Sequence, residues 1–168
     1  DDGALAAAGS RASAAAGRLA DGFAPSAGAS GVRLRGAARA VASERSGVDL
    51  AVEASTARAA ALDGAYETVL AATRAGDLDR AREWLLVREF KPVTRFAHPS
   101  AASSVAIASL ADGVVSRARA VRSIRADLLD TYEALLRSSL SDTGDAFRAG
   151  FPEKAAGSAA TARGYWWI

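Results

Sequence analysis

Five acidic residues at helical spacing are the side chains best suited to chemistry in this sequence. They are Asp127, Asp130 and Glu133 at steps of three residues, and Asp63 with Glu67 at a step of four. Carboxylates on facing helices can build a metal site in the core of a bundle. Because all of its ligands would be oxygen atoms, such a site favours hard cations or ferric iron, so iron is one of the candidate cofactors.

The same acids have an alternative role as ion-pair partners on solvated helix faces. Arginines at helical spacing could neutralise them, namely Arg122, Arg125 and Arg137. Such pairs stabilise a helix surface without forming a site. The residues alone leave both interpretations open and establish no cofactor.

The sequence contains few residues that could carry out nucleophilic catalysis. His98 is the only histidine and lies between Phe96 and Pro99, with no nucleophile paired to it by a recognisable pattern. No acidic residue stands three positions from His98, so a His-x-x-Glu metal pair is absent. The chain has no Cys, which excludes thiolate ligands and disulfides. We therefore expect no catalytic residue and no enzyme.

Basic and aromatic residues are mixed between residues 80 and 96. They are Arg80, Arg82, Arg88, Lys91 and Arg95, with Trp84, Phe90 and Phe96 among them. Such a mixture can bind single-stranded nucleic acid. Acidic residues interleave, however, and the formal net charge is only +2, so we expect no nucleic-acid partner. The pattern instead predicts a buried Arg–carboxylate network that ties this segment to the fold.

The elements that must position these residues are helices. Half of the 168 residues are hydrophobic, most of these are Ala, and runs of the β-branched or aromatic residues typical of strands are almost absent. This length fits one domain with a core of its own. We predict an all-α fold, an antiparallel helical bundle of about six to seven helices that spans residues 1–168 as a single domain.

The longest helical pattern runs from Ser116 to Leu140. Its apolar residues recur at three- and four-residue steps, which places them on one stripe. They are Val121, Ile124, Leu128, Tyr132, Leu135, Leu136 and Leu140. Ser116 is a suitable N-cap. We expect the other helices to pack against this stripe.

Shorter patterns and breakers predict the remaining helices. The expected ranges are 2–23, about 30–43, 49–75, 78–90 and 100–110. A last helix is expected to follow residues 142–144 and run toward Trp167, with an interruption at Gly150-Phe151-Pro152, where Pro152 suits the first turn of a restarted helix. Asp77 is expected to cap the fourth helix, and Pro92 to stop it. The run Asp142-Thr143-Gly144 is expected to end the long helix.

Three runs of the sequence carry a family resemblance. They are residues 81–96 (AREWLLVREFKPVTRF), residues 103–110, and residues 121–132 (VRSIRADLLDTY). Across about residues 80–137, the chain resembles the helical region in front of the membrane part of bacterial high-affinity iron permease family proteins. The resemblance implies an extracytoplasmic, non-enzymatic domain in the periplasm or cell envelope that helps to deliver iron to a membrane permease.

The resemblance also implies roles for single residues. The Arg-Glu-x-x-Glu iron motifs of these permeases belong to their membrane helices, and Arg88-Glu89 here is followed by Phe90-Lys91-Pro92. Structural rather than ligand roles are therefore implied for the matching residues, which are Arg88, Glu89, Arg95, Phe96, Asp127, Asp130 and Tyr132.

The chain ends supply the last expectations. No apolar run is long enough to cross a bilayer, so no transmembrane segment is predicted. The chain begins at Asp1 without Met, which fits a mature N-terminus after signal-peptide removal or an artificial boundary. The aromatic end, Tyr165, Trp166 and Trp167, predicts contact with a membrane permease or envelope complex. The alternative functions are a metal-free structural or interaction subunit of a cell-envelope complex, or an oligosaccharide- or nucleic-acid-binding helical module.

Overall fold

The computed structural model describes residues 2–43, 47–90 and 100–168. Within these ranges the chain forms seven α-helices and one short 3-10 helix, Pro25–Ala27, with no strand. The helices are α1 (Asp2–Asp21), α2 (Gly28–Ser43), α3 (Gly47–Ala75), α4 (Leu78–Leu85), α5 (Ala102–Ala111), α6 (Arg117–Arg148) and α7 (Pro152–Trp167). The predicted all-α bundle is confirmed. That residues 1–168 form a single domain stays a prediction.

The long helix α6 begins where the sequence predicts and ends later. The Ser116 hydroxyl accepts a hydrogen bond from the backbone N–H of Arg119 at 3.3 Å, which confirms the predicted N-cap. The expected stop at residues 142–144 is wrong, because the helix continues to Arg148 and Gly150 then adopts a φ of 76°. Glycine inside a helix costs only about 1 kcal/mol. Burial of Ala146, which is 2% exposed, helps to offset that cost.

Helix α4 ends earlier than predicted. The helix stops at Leu85, and the N–H groups of Leu86, Val87 and Arg88 then bond to carbonyls three residues back. This tighter turn directs Arg88 and Glu89 back toward the bundle. The Asp77 cap is confirmed, since its carboxylate accepts from the Arg80 N–H at 3.2 Å. The predicted stop at Pro92 lies outside the described residues.

The core has two clusters that meet at one tryptophan. The larger cluster joins α4, α5, α6, α7 and the C-terminal half of α3, whereas the smaller one joins α1, α2 and the middle of α3. Trp84 packs against both, and its ring lies 5.4 Å from that of Phe23. Helix α3 contributes to both clusters and packs on α1, α2, α4, α6 and α7.

The prediction that the other helices pack on α6 is therefore wrong in part. Helices α5 and α7 do pack on α6, but α1 and α2 pack on each other and on α3. The physical reason is the wide buried arc of α3, where small residues such as Ala60, Gly64 and Ala72 allow neighbours to approach from several sides. The hydrophobic stripe of α6 is longer, but it faces only one side.

Candidate functional site

A carboxylate from the segment after α4 joins two long helices. The Glu89 side chain is 16% exposed and accepts a hydrogen bond from Arg58 Nε of α3 at 2.6 Å. Its other oxygen, Oε2, accepts from the Tyr165 hydroxyl of α7. Burial would lower the pKa of Arg58, but the hydrogen bond and charge of Glu89 outweigh it and raise that pKa. The three side chains thus form a charge-compensated cluster.

Three tyrosines form a layer of rings beside Glu89. The Tyr132 ring of α6 stacks on that of Tyr165, with 6.0 Å between centroids and 19° between planes. Tyr66 of α3 meets Tyr132 edge-on at 6.4 Å. Burial is the main cause that raises the pKa of both Tyr132 and Tyr165, and the negative charge of Glu89 raises both further. The layer therefore holds phenols whose protonated form is strongly favoured.

A second polar cluster closes the N-terminal end of α5. Asp127 Oδ2 of α6 accepts hydrogen bonds from the Ser103 N–H at 2.9 Å and from the Ser103 hydroxyl at 2.6 Å. Arg88 lies nearby, with its guanidinium 4.5 Å from the centroid of the Phe90 ring and 3.4 Å from the Ser104 hydroxyl. Its buried Nη1 has no hydrogen-bond partner among the described residues. Asp127 thus caps the first turn of α5 together with Ser100, whose hydroxyl accepts from the Ala102 N–H at 3.2 Å.

Asp127 is expected to make stability depend on pH in the acid range. Burial would raise its pKa, but hydrogen bonds from Ser100 and Ser103 and the charge of Arg88 outweigh it and hold the pKa below the ordinary value. A carboxylate with a depressed pKa contributes stability above its unfolded pKa of about 3.9, and loses it as pH falls through the folded pKa. In urea unfolding at about pH 7, Asp127→Asn should be less stable than wild type by about 1–3 kcal/mol.

The difference between wild type and Asp127→Asn should shrink once the pH falls below about 4. The matched control is Asp79→Asn, because the Asp79 side chain is 97% exposed and pairs with Arg82 of its own helix. The control should change stability by less than about 0.5 kcal/mol at every pH. An Asp127→Asn deficit that stays constant down to the acid transition would contradict the role given to this carboxylate.

The tyrosine layer is expected to make stability depend on pH in the alkaline range. Burial is the largest cause that raises the pKa of Tyr66, as it is for Tyr132 and Tyr165, and these are all the tyrosines of the chain. Groups with raised folded pKa values stabilise the fold below the unfolded value of about 10 and cease to do so as pH rises further. Phenolate absorbance of native protein should therefore lag that of protein in guanidinium above about pH 9.5. Coincident titration curves would show that the phenols are accessible.

The structure does not bring the five metal candidates together. Asp63 accepts from the Ser30 hydroxyl and from Arg33 Nη2, both at 2.5 Å, and Glu133 pairs with Arg137 on the surface of α6. Asp130 lies on the exposed side of α6, and Glu67 is half-buried on α3. In residues 2–43, 47–90 and 100–168, no three His, Cys, Asp or Glu side chains converge to hold a metal ion.

The residues given structural roles divide into two groups. Arg88, Glu89 and Tyr132 all lie at contacts between helices, as described above. Arg95 and Phe96 lie outside the described residues, as does His98. An Arg–carboxylate pair does tie the segment after α4 to the bundle, but its arginine is Arg58 of α3 rather than a basic residue of that segment.

The aromatic end of the chain is split between interior and surface. Tyr165 is 7% exposed and belongs to the core, so it offers no face to a partner in this conformation. Trp166 and Trp167 are 75% and 54% exposed, and Arg163 lies over the Trp167 ring at 5.2 Å. The predicted partner contact of these two tryptophans stays a prediction.

Sequence reasoning missed Arg58 and the contact between Glu89 and Tyr165. The available signal was the position of Tyr66 and Tyr132 on the apolar stripes of two helices, which together imply that tyrosines meet in the core. Nothing in the spacing of Glu89 pointed to α7, because the turn after Leu85 sets its direction.

The fold defines the class of protein as an all-α helical bundle. The sequence profile described as "Iron permease FTR1 N-terminal domain" matches residues 2–168, so the chain belongs to the iron permease FTR1 family as its N-terminal domain. This confirms the resemblance and extends it from residues 80–137 to nearly the whole chain. Comparison with curated proteins and with solved structures gives no match. Among the described residues, no helix combines the length and apolar character needed to cross a membrane.

Proposed function

We propose that this chain is an extracytoplasmic, non-enzymatic domain of an iron permease, and that it helps to deliver iron to the membrane part of the transporter. The observation that carries the proposal is the match of residues 2–168 to the N-terminal domain of iron permeases. A groove between α3, α6 and α7, of about 430 Å³, supplies a polar surface for a ligand or partner. Its charged lining residues are Arg58, Asp142, Glu153 and Lys154.

The delivery role is tested by iron uptake in cells that carry the complete permease. Uptake of radioactive iron is measured over a range of iron concentrations, with and without residues 2–168. If the domain delivers iron, its removal lowers uptake most at limiting iron, while uptake at saturating iron changes less. Equal uptake at every concentration, with equal amounts of permease in the membrane, would overturn the proposal.

The location is tested by labelling in intact cells. The chain has no Cys, so a single introduced thiol reports its side of the membrane without background from the domain. Arg148→Cys suits this purpose, because the Arg148 side chain is 75% exposed and pairs with Asp145 of its own helix. A membrane-impermeant maleimide should label it in intact cells. Labelling only after lysis would place the domain in the cytoplasm.

A metal-free interaction subunit of an envelope complex is the second candidate function. The observation that favours it is the exposure of large aromatic side chains at both ends of α7, namely Phe147, Phe151, Trp166 and Trp167. Elemental analysis of the purified protein and calorimetric titration with iron distinguish the two candidates. No bound iron and no heat of binding would favour the interaction subunit.

A further inference from the structure

An apolar stripe on the C-terminal half of α6 is left uncovered by the part of the chain that the structure describes. Helices α3, α5 and α7 pack on α6, yet Leu140 is 57% exposed and Phe147 is 79% exposed. These two residues lie two turns apart on one face of the helix. Phe151, which is 60% exposed, follows just beyond the end of α6. Large apolar side chains that lie exposed in a row on one helix mark an interaction surface.

Gly144 lies on the same face, between Leu140 and Phe147. Glycine is among the weakest helix formers, so its place inside a long helix needs a reason. Packing within the chain supplies none, because a Cβ at Gly144 would meet nothing within 4 Å. A bare backbone between two large apolar side chains allows a second helix to approach closely.

The order of side chains along the stripe matches itself when it is reversed. Leu140 and Phe147 lie at equal distances along the chain from a point just before Gly144. Leu136 and Phe151 lie at equal distances from the same point. If two α6 helices pair antiparallel about a twofold axis at this point, each leucine of one copy lies opposite a phenylalanine of the other. An interface around a twofold axis requires this self-complementarity.

We propose that this face of α6 is an interface between two copies of this chain, which pair antiparallel about a twofold axis beside Gly144. The inference goes beyond iron delivery and does not depend on it. Charge does not oppose the pairing, because basic residues beside the stripe are neutralised within α6. The ion pairs are Arg137 with Glu133 and Arg148 with Asp145.

The apolar area of the stripe suits a weak dimer. A fully buried aromatic side chain covers about 150–250 Å², so Phe147 and Phe151 of both copies together account for several hundred Å². Stable interfaces bury at least about 1,200 Å², so the neighbouring polar residues of α6 must contribute and the dimer should dissociate on dilution. At the dilution used for unfolding in urea, the protein should be monomeric.

Sedimentation equilibrium of the purified protein tests the proposal. The average mass should rise from that of one chain toward that of two as the concentration increases to about 1 mM. Gly144→Val should weaken association at least about tenfold, because the added side chain separates the two helices at their closest approach. The matched control is Gly17→Val, since Gly17 is also helical and a Cβ there would meet nothing within 4 Å, but it lies on α1. Circular dichroism shows whether both variants are folded.

Phe147→Ala should weaken association as well. Its control is Leu86→Ala, because Leu86 is 84% exposed but follows α4 rather than lying on the stripe. A wild type that stays monomeric at every concentration, or folded Gly144→Val and Phe147→Ala variants that associate like wild type, would overturn the proposal. A monomer that instead binds phospholipid vesicles through Phe147 would also overturn it and assign the stripe to a lipid surface.

Disulfide formation between introduced cysteines tests the antiparallel register. The chain has no Cys, so each introduced thiol reports one position. A mixture of Leu140→Cys and Phe147→Cys proteins, oxidised with copper phenanthroline, should form a mixed disulfide dimer, because these positions face each other and the second leucine–phenylalanine pair is retained. Either variant alone should form less, since its two cysteines would lie about 10 Å apart along the helices. A preference for disulfides between identical variants would contradict the antiparallel pairing.

Discussion

Replacing Ile124 by Ala is expected to lower the free energy of unfolding by about 3 kcal/mol. Ile124 is fully buried at the middle of the larger core cluster, where it packs with residues of α3, α5 and α6 such as Val69, Ile107 and Leu128. The substitution removes three carbon atoms from a close-packed site whose neighbours belong to long helices and cannot collapse into the space. Urea unfolding followed by circular dichroism measures the effect.

Leu140→Ala is the matched control for Ile124→Ala. Both residues belong to the same predicted stripe of α6 and lose a side chain of the same size, but Leu140 is 57% exposed. Its replacement should cost less than about 1 kcal/mol, in proportion to the smaller apolar area that it buries. Equal losses in the two variants would mean that the C-terminal half of α6 is packed as tightly as its middle.

Replacing Gly64 by Val is expected to destabilise the protein by about 3 kcal/mol. A Cβ at Gly64 would lie 2.2 Å from two atoms of the Phe23 ring. That ring is itself buried and packed against Trp84, so it cannot move aside without disturbing the contact between the two core clusters. The free energy of unfolding in urea should fall accordingly, and the fluorescence of the partly buried Trp84 should change in the folded state.

The control for Gly64→Val is the same substitution at Gly144. Gly144 lies inside α6, and a Cβ there would meet nothing within 4 Å. Valine is a slightly better helix former than glycine, so Gly144→Val should be neutral or stabilising by up to about 0.5 kcal/mol. A loss of stability at Gly144 comparable to that at Gly64 would show that valine itself, rather than the Phe23 ring, causes the effect.

The helices could be predicted from the sequence because their signals are local. Asp77 and Ser116 cap the helices that they precede, and Pro152 opens α7, since each acts on the backbone of the next turn. Predicted ends were less reliable. Gly144 predicts the end of a helix, but the packing of α6 on α7 outweighs the cost of one helical glycine.

The candidate site could be predicted only in part, because its contacts join residues far apart in the chain. Glu89 and Tyr165 are 76 positions apart, and no pattern of spacing records such a pair. The acidic residues at helical spacing could be recognised in the sequence. In the structure, however, Asp63 and Asp127 each accept a hydrogen bond from a serine of another helix and do not contact each other. Tyr132 was placed on the apolar stripe of α6 correctly, but which residues of other helices this stripe would face depends on the position of α3.

Because Trp84 packs against both core clusters, it affects how cooperatively the domain unfolds. A side chain shared by two layers ties their unfolding into one cooperative transition, because neither layer can separate without exposing an indole ring. The same ring is an intrinsic fluorophore at the seam, whereas the other two tryptophans lie near the end of α7 and face solvent. A blue-shifted emission component should therefore vanish in a single step that coincides with the loss of helical signal.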